Sequence, residues 1–346
     1  MIVLGIETSC DETAVGIVSS GREILAENVL SQIDEHKLYG GVVPEIAARA
    51  HLDHLGRLIE VTMGEAGLDF GDLDGVAATA GPGLIGGVMV GLMTGKAIAS
   101  SQNLPFVAVN HLEAHALTPR LTDEVAFPFL LLLISGMNTQ LLLIENVGQF
   151  TCLGKAIDDA VGECFDKCGR LLELGYPGGP FIQKAAEQCE NWNAAKARYP
   201  LPTPMKRRKE LDFSFSGLKT ALRQHVIDAG ETLDIPMLCA SFQATVVEIL
   251  TERTDKAMAV FKDKYPELAG QTPAFVISGG VAANKPIREG LQKLATEKGF
   301  VFHAPPLKLC GDNGTMIAWA GIERLNLGLT DSMDAPARPR WPLENT

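Results

Sequence analysis

The chain has 346 residues, of which 46% are hydrophobic, 21% charged and 35 glycine, with a formal net charge of −12. That size and apolar content provide a sizeable core in roughly two domains or one duplicated fold, with many tight backbone turns. The acidic balance excludes bulk attraction to nucleic acid, so any RNA contact must come from a local basic patch or a partner.

Ile2 to Ile6 reads as a short apolar strand, Glu7 to Thr13 as a polar turn, Ala14 to Val18 as the returning strand and Glu23 to Leu30 as a third. Helical periodicity runs from Pro44 to Glu65, with the proline suited to the first turn. Val76 to Ala80 leads through Gly81-Pro82-Gly83 into a small-residue helix from about Leu84 to Ser101. The apolar run Phe106 to Val109 directly precedes His111-Leu112-Glu113-Ala114-His115. Phe127 to Ile134, the polar turn Ser135-Gly136-Met137-Asn138 and Thr139 to Ile144 then repeat the strand, turn, strand pattern of residues 2–18.

Two copies of one unit predict a duplicated α/β fold with a cleft between lobes spanning 1–125 and 126–346. Helical stretches at Asp158 to Leu174, Phe215 to Ala229 and Ile235 to Lys264 flank an irregular, proline- and charge-rich segment from Tyr176 to Asp212. They form an insertion near 158–265 in the second lobe, and the C-terminal tail can pack back on the first. Ala274 to Ile277 reads as a buried strand that runs into Ser278-Gly279-Gly280 and opens a helix, with Asn284 one turn in. The last helix starts after Gly311-Asp312-Asn313-Gly314.

Seven scattered cysteines lack the spacing of a disulfide framework, which implies a reducing compartment. No charged n-region or cleavage site precedes the first strand. Phe129 to Ile134 is too short to span a bilayer, and the glycine-rich Leu84 to Met93 is soon followed by Lys96. A cytoplasmic protein without a membrane partner is expected.

His111 and His115 lie four residues apart, so a helix presents both imidazoles on one face, as a metal ion requires; a helix with two polar histidines is the plain alternative. Glu113 sits about 200° round that helix from each histidine, facing away, which disfavours a zinc protease. Asp312, at a helix start, is the best carboxylate to close the site. Thr8 and Ser9 in the first hairpin, and Ser135 and Gly136 in the second, are small donors on tight turns that can face anionic oxygens. Ser278, Gly279 and Gly280 add a third such turn, with Asn284 placed to hydrogen-bond a base or sugar. Gly179 lies where backbone could approach a ligand, and Asp166 where a carboxylate could bind a hydroxyl. Lys206-Arg207-Arg208-Lys209, Lys219, Arg338 and Arg340 are the local basic candidates, although the first run reads more readily as a solvated loop.

Together these motifs closely resemble the tRNA threonylcarbamoyladenosine transferase family, once described as O-sialoglycoprotein endopeptidases. The resemblance rests on Gly5 to Thr13, Tyr39 to Glu45, Ala80 to Leu84, His111 to His115, Phe165-Asp166-Lys167, Tyr176 to Pro180, Asp212 to Lys219, Ser278 to Asn284, Asp312-Asn313-Gly314 and Arg338 to Pro342. It spans essentially the whole chain and is nearest to the bacterial and organellar branch. It implies a two-lobed actin/sugar-kinase/Hsp70-type fold and transfer of a threonylcarbamoyl group from threonylcarbamoyl-AMP to N6 of the tRNA adenosine beside the anticodon, releasing AMP. By that likeness His111, His115 and Asp312 bind iron or zinc, while Ile134 to Asn138, Asp166, Gly179 and Asn284 hold the adenylate. Asp11 and Glu12 would steer the amine or contact the metal region. A smaller paralogue pairing with the N-terminal lobe and an ATPase are the implied partners, beside tRNA.

The family pattern at the second hairpin is Ser-Gly-Gly-His-Thr, where this chain reads Ser135-Gly136-Met137-Asn138-Thr139. Met137 puts a long side chain where glycine admits the donor and a positive φ, and Asn138 lacks an imidazole. Lowered donor affinity and turnover are expected, and a nucleotide-binding scaffold is one competing reading. A small-molecule kinase of the same superfold is the other; it has no need of the histidine pair.

Overall fold

The computed structural model describes residues 1–206 and 208–343. Two compact units are present, Met1–Glu124 with Asn146–Phe150 and the described residues from Pro305 on, and Val125–Glu145 with Thr151–Ala304. The second unit thus ends at Ala304, short of the 126–346 expected from the sequence.

In the first unit, β1 (Ile2–Glu7), β2 (Glu12–Ser19) and β3 (Ile24–Ser31) form an antiparallel meander. The short α1 (Ile33–His36) and long α2 (Pro44–Ala66) lead to β4 (Gly75–Gly81), α3 (Ile85–Gln102), β5 (Phe106–Asn110) and α4 (His111–Thr122). β4 pairs parallel with both β1 and β5, giving the sheet order β3-β2-β1-β4-β5. Leu4, Ile6, Val15, Ile17 and Phe106 form its apolar core with Leu55 and Ile59 of α2.

The second unit repeats the plan. β6 (Phe129–Ile134), β7 (Thr139–Asn146) and β8 (Gln149–Lys155) precede the helices α5 (Val161–Leu171), α6 (Gly178–Ala186), α7 (Trp192–Arg198), α8 (Ser216–Ala229) and α9 (Ile235–Lys264). Then come β9 (Ala274–Ser278), α10 (Lys285–Lys298) and β10 (Val301–His303), and α11 (Gly314–Asn326) belongs to the first unit. The order β10-β9-β6-β7-β8 is the first sheet's order with β6 in the place of β1. All six residues of β6 are buried, as suits a central strand covered on both faces.

Several boundaries differ from the sequence reading, each for a local reason. Tyr176 to Asp212 is not wholly irregular, because α6 and α7 lie within it. Gly178-Gly179-Pro180 reads as a turn, yet proline is tolerated in a first helical turn, and Asp166 Oδ1 accepts the Gly178 N–H at 2.7 Å. Asn191 caps α7 by accepting from Ala194 N at 2.9 Å. The helix expected from Asp158 starts at Val161, since the Asp158 carboxylate instead accepts from Ser214 Oγ and the Phe215 N–H. Ser278-Gly279-Gly280 opens only a single 3₁₀ turn, and α10 begins after Asn284, which is its N-cap.

α11 lies directly on the β1–β2 hairpin. A Cβ on Gly5 would collide with Ala318 N and Gly314 O, one on Gly16 with Thr315 N, and one on Gly314 with the backbone of Val15 and Gly16. Backbone meets backbone there, which brings Asp312, in the turn just before α11 and its cap Asn313, to the sheet. Gly5→Ala should therefore destabilise the chain by about 1–3 kcal/mol, the usual cost of overpacking. Urea unfolding would show a lowered midpoint at constant slope, and an unchanged midpoint would contradict the packing described.

Candidate metal centre and flanking turns

α4 begins at its first histidine because Asn110 caps it, accepting from Leu112 N at 2.9 Å and Glu113 N at 3.4 Å. His111 and His115 follow one turn apart, their rings edge to face at 4.7 Å. Asp312 arrives from the turn before α11, whose own cap, Asn313, accepts from Met316 N at 2.8 Å. One carboxylate oxygen, Asp312 Oδ1, faces His115 Nε2 at 3.1 Å and His111 Nε2 at 3.4 Å. The three ligand atoms lie within 4.8 Å of one another.

Behind His111 sits a carboxylate the sequence reading passed over. Glu7 Oε2 is 2.9 Å from His111 Nδ1, and Glu7 also accepts from Ser9 N and Thr79 Oγ1, each at 2.5 Å. Burial opposes the ionisation of Glu7, but the charge and hydrogen bond of His111 outweigh it and hold the carboxyl below its ordinary range. Burial likewise opposes charge on Asp312 and His111; their mutual attraction wins, lowering the first and raising the second well above an ordinary imidazole. Only its place at the end of an apolar strand, against a polar turn, could have singled out Glu7.

Asp11 and Glu12 lie in the same neighbourhood. Burial, then the charges of Asp312 and Asp11, push the Glu12 carboxyl well above its ordinary range, and a hydrogen bond from Asp11 adds to the rise. Cys10 is raised by burial and by Asp11 and Asp312. Two imidazoles and a carboxylate therefore converge amid an excess of negative charge, with the second nitrogen of one imidazole oriented by a further carboxylate. That donor set and its outer partner fit a divalent cation of the iron or zinc kind.

Thr8 does not present its hydroxyl to a ligand as expected. It is buried, donates to Gly87 O at 2.8 Å and accepts from Gly91 N at 3.1 Å, pinning α3 to the end of β1. Ser9 is buried too, with Oγ 3.2 Å from His111 Nδ1. The first hairpin turn serves the histidine from behind.

The second hairpin turn is open. Ser135 N donates to Asn138 O at 2.8 Å, Ser135 Oγ accepts from Asn138 N at 3.1 Å, and Gln140 Nε2 donates to Asn138 Oδ1 at 3.3 Å. Met137 is 60% exposed and, like Gly136, does not have positive φ, so its effect lies in bulk and not in backbone strain. Gly279 adopts φ +93 and abuts the carbonyl of Ile134 and the Cβ of Ser135, which brings these two turns side by side. Gly280 and Gly179 have open space where a Cβ would stand, Ser278 is buried, and Asp166 is engaged at the start of α6 beside Gly179. Asn284 caps α10 and exchanges two hydrogen bonds with the buried Gln243, at 3.0 and 3.1 Å, a partner with no signature in the sequence.

A family model described as tRNA N6-adenosine threonylcarbamoyltransferase matches residues 23–319. A protein of that description from Paramagnetospirillum magneticum is 53% identical over 353 residues, covering 100% of this chain and 98% of the relative. Another, from Methylobacterium sp. strain 4-46, is 56% identical over 348 residues, covering 99% and 97%. Full-length HypF in its phosphate- and nucleotide-bound form superposes with a TM-score of 0.60 at 13% identity, over 94% of this chain and 46% of HypF. That likeness speaks for the fold alone, the actin/sugar-kinase/Hsp70 type.

Glu7→Gln removes the charge behind His111 and keeps the side-chain shape. It should weaken the binding of iron(II) or zinc by about 10–100-fold, the usual loss for an outer-shell partner. Chelator competition on the purified variant checks this, and wild-type affinity would contradict the role given to Glu7.

Proposed function

The chain belongs to the tRNA N6-adenosine threonylcarbamoyltransferase family, an acyltransferase family acting on tRNA, and on that premise we propose the following division of labour. The donor is threonylcarbamoyl-AMP, and the acceptor is N6 of adenosine 37 in tRNAs reading codons that begin with A. The acyl carbon is transferred from the phosphate oxygen to the amine nitrogen, the amine loses a proton, and AMP leaves. His111, His115 and Asp312 would hold one metal ion, iron(II) in preference to zinc. When bound, such an ion supplies a Lewis acid or an anchor for the donor.

This chain's own residues do the rest. Asp11 and Glu12, beside Asp312, would orient the incoming amine. Ile134 to Asn138, Ser278 to Gly280 and Asn284 would hold the adenylate, with backbone N–H groups toward its phosphate. Gly179 would let backbone approach it, and Asp166 would bind a hydroxyl. The acyl group is already activated, so orientation and charge stabilisation are the main requirements. The single observation that carries this reading is the sharing of one Asp312 oxygen by two imidazole nitrogens in a chain of this family.

tRNA is the macromolecular partner the family calls for. A smaller paralogue would dock on the exposed stripe Ile85, Met89 and Met93 of α3, beside the exposed Leu52 of α2, with an ATPase completing the system. No helix among the described residues is long and apolar enough to cross a membrane. The cytoplasm is the compartment in which such a tRNA substrate would be met.

Unmodified tRNA incubated with threonylcarbamoyl-AMP and the candidate partners should yield N6-threonylcarbamoyladenosine on nucleoside mass analysis, with AMP in equal amount. No product would point to the scaffold reading instead. Changing Met137→Gly and Asn138→His together should raise turnover at least about tenfold, or about 1.4 kcal/mol of barrier. Equal rates would show the departure from the family pattern to be harmless.

A further inference from the structure

The run Lys206 to Lys209 is not the free basic surface its sequence suggests. Lys206 Nζ lies 2.6 Å from Glu248 Oε1, and the Arg208 carbonyl accepts from Lys256 Nζ at 2.9 Å. Arg207 lies outside the described residues.

A second basic pair lies beside the metal centre, on the strap Asp331 to Trp341. The strap starts along β5, where Asp331 N donates to Phe106 O at 2.8 Å and Asp331 Oδ2 accepts from Ala108 N at 2.9 Å. Lys96 Nζ holds it midway, at 2.6 Å from Ala335 O. It then crosses the C-terminal ends of β4 and β5, the edge at which parallel α/β sheets bind ligands. Arg338 N donates to Ala80 O at 2.6 Å, Gly83 N to Pro339 O at 3.2 Å, and Asn110 Nδ2 to Trp341 O at 3.0 Å. Asn110 on one side, and Gly83 with Ser9 on the other, link the strap to His111. Asn110 immediately precedes it and caps its helix, and Ser9, which bonds His111, packs against Gly83.

Those anchors use backbone groups of the strap and the side chain of Asp331, and none uses an arginine side chain. Arg338 and Arg340 are both exposed, two residues apart on a bent segment, and neither has an ion-pair partner among the described residues. The Arg338 guanidinium lies 4.6 Å over the ring of the buried Trp341, so it is held in place with its donors unclaimed by any carboxylate. In a chain of net charge −12, two unneutralised guanidiniums beside the reacting centre, one of them held over Trp341, demand an anionic partner. Their exposure two residues apart suits a sugar–phosphate backbone better than a small anion, which needs donors from several sides.

Resting on the transferase reading above, we propose that Arg338 and Arg340 are phosphate contacts that seat the tRNA backbone at the edge of the metal centre. They carry no base readout, so they act alike on every substrate tRNA.

The test is tRNA binding by the full-length Arg338→Ala/Arg340→Ala protein across a salt series, measured by fluorescence anisotropy alongside wild type. The dissociation constant should rise about tenfold near physiological salt, and the slope of log affinity against log salt should shrink by about 2. Metal content and the KM for threonylcarbamoyl-AMP should stay at wild-type values, and the double lysine variant should recover most of the affinity. Arg340→Ala alone removes a side chain with no ion pair or hydrogen bond among the described residues, so its smaller loss is expected without any change in melting temperature. Unchanged tRNA affinity and salt slope would overturn the proposal, as would a loss that falls on the adenylate donor instead. Binding is read without turnover, so a wild-type protein that binds tRNA but makes no product would count against the transferase reading and not against these contacts.

Discussion

Everything in the first unit is arranged around one carboxylate oxygen that two imidazoles approach at once, Asp312 Oδ1 with His111 and His115. Bringing those groups together out of water is costly unless each is paired, and the surroundings supply the pairing. Glu7 takes the far side of His111. The helices that carry the two halves of the site are braced by Arg324 Nη1 on Glu113 Oε2 at 2.8 Å and by Arg120 Nε on Glu323 Oε1 at 2.7 Å. Glu113, the residue that a protease reading would need beside the metal, is engaged in that brace and turned away from the histidines. Close backbone packing at Gly5, Gly16 and Gly314 then sets Asp312 at the depth the histidines require.

The duplication shows what each copy has become. Strand, turn, strand occurs as β1–β2 and as β6–β7, in sheets of the same order. In the first copy the turn is buried: Thr8 fastens a helix and Ser9 and Glu7 support a histidine. In the second the turn stays open, with Met137 exposed and Gly279 pressed against Ile134 to hold a neighbouring turn alongside. One supersecondary unit thus supplies buried support behind a histidine in one place and an open backbone surface in the other.

Much of this was legible in the chain itself. Continuous apolar runs marked β1, β2, β6 and β7, and α9 runs over the Ile235 to Lys264 read as helical from the sequence. The His111 and His115 spacing is local, so helical geometry alone put both on one face. Asp312 was reached through its place at a helix start, although 197 residues separate it from His115. What escaped lacked a local pattern. Glu7 is a single carboxylate whose partner is 104 residues away, and Gln243 is one polar residue in a long helix. α6 was hidden by the glycines and proline of its first turn, because those residues signal a turn unless a cap such as Asp166 is known to be waiting.

X-ray absorption at the metal edge of the loaded protein tests the centre most directly. Two imidazole nitrogens and a carboxylate oxygen in the first shell, lost together with the bound metal in His115→Ala, are what this arrangement of residues predicts. A stoichiometric ion with no imidazole in its shell, or one retained undiminished when His111 and His115 are both replaced, would contradict it.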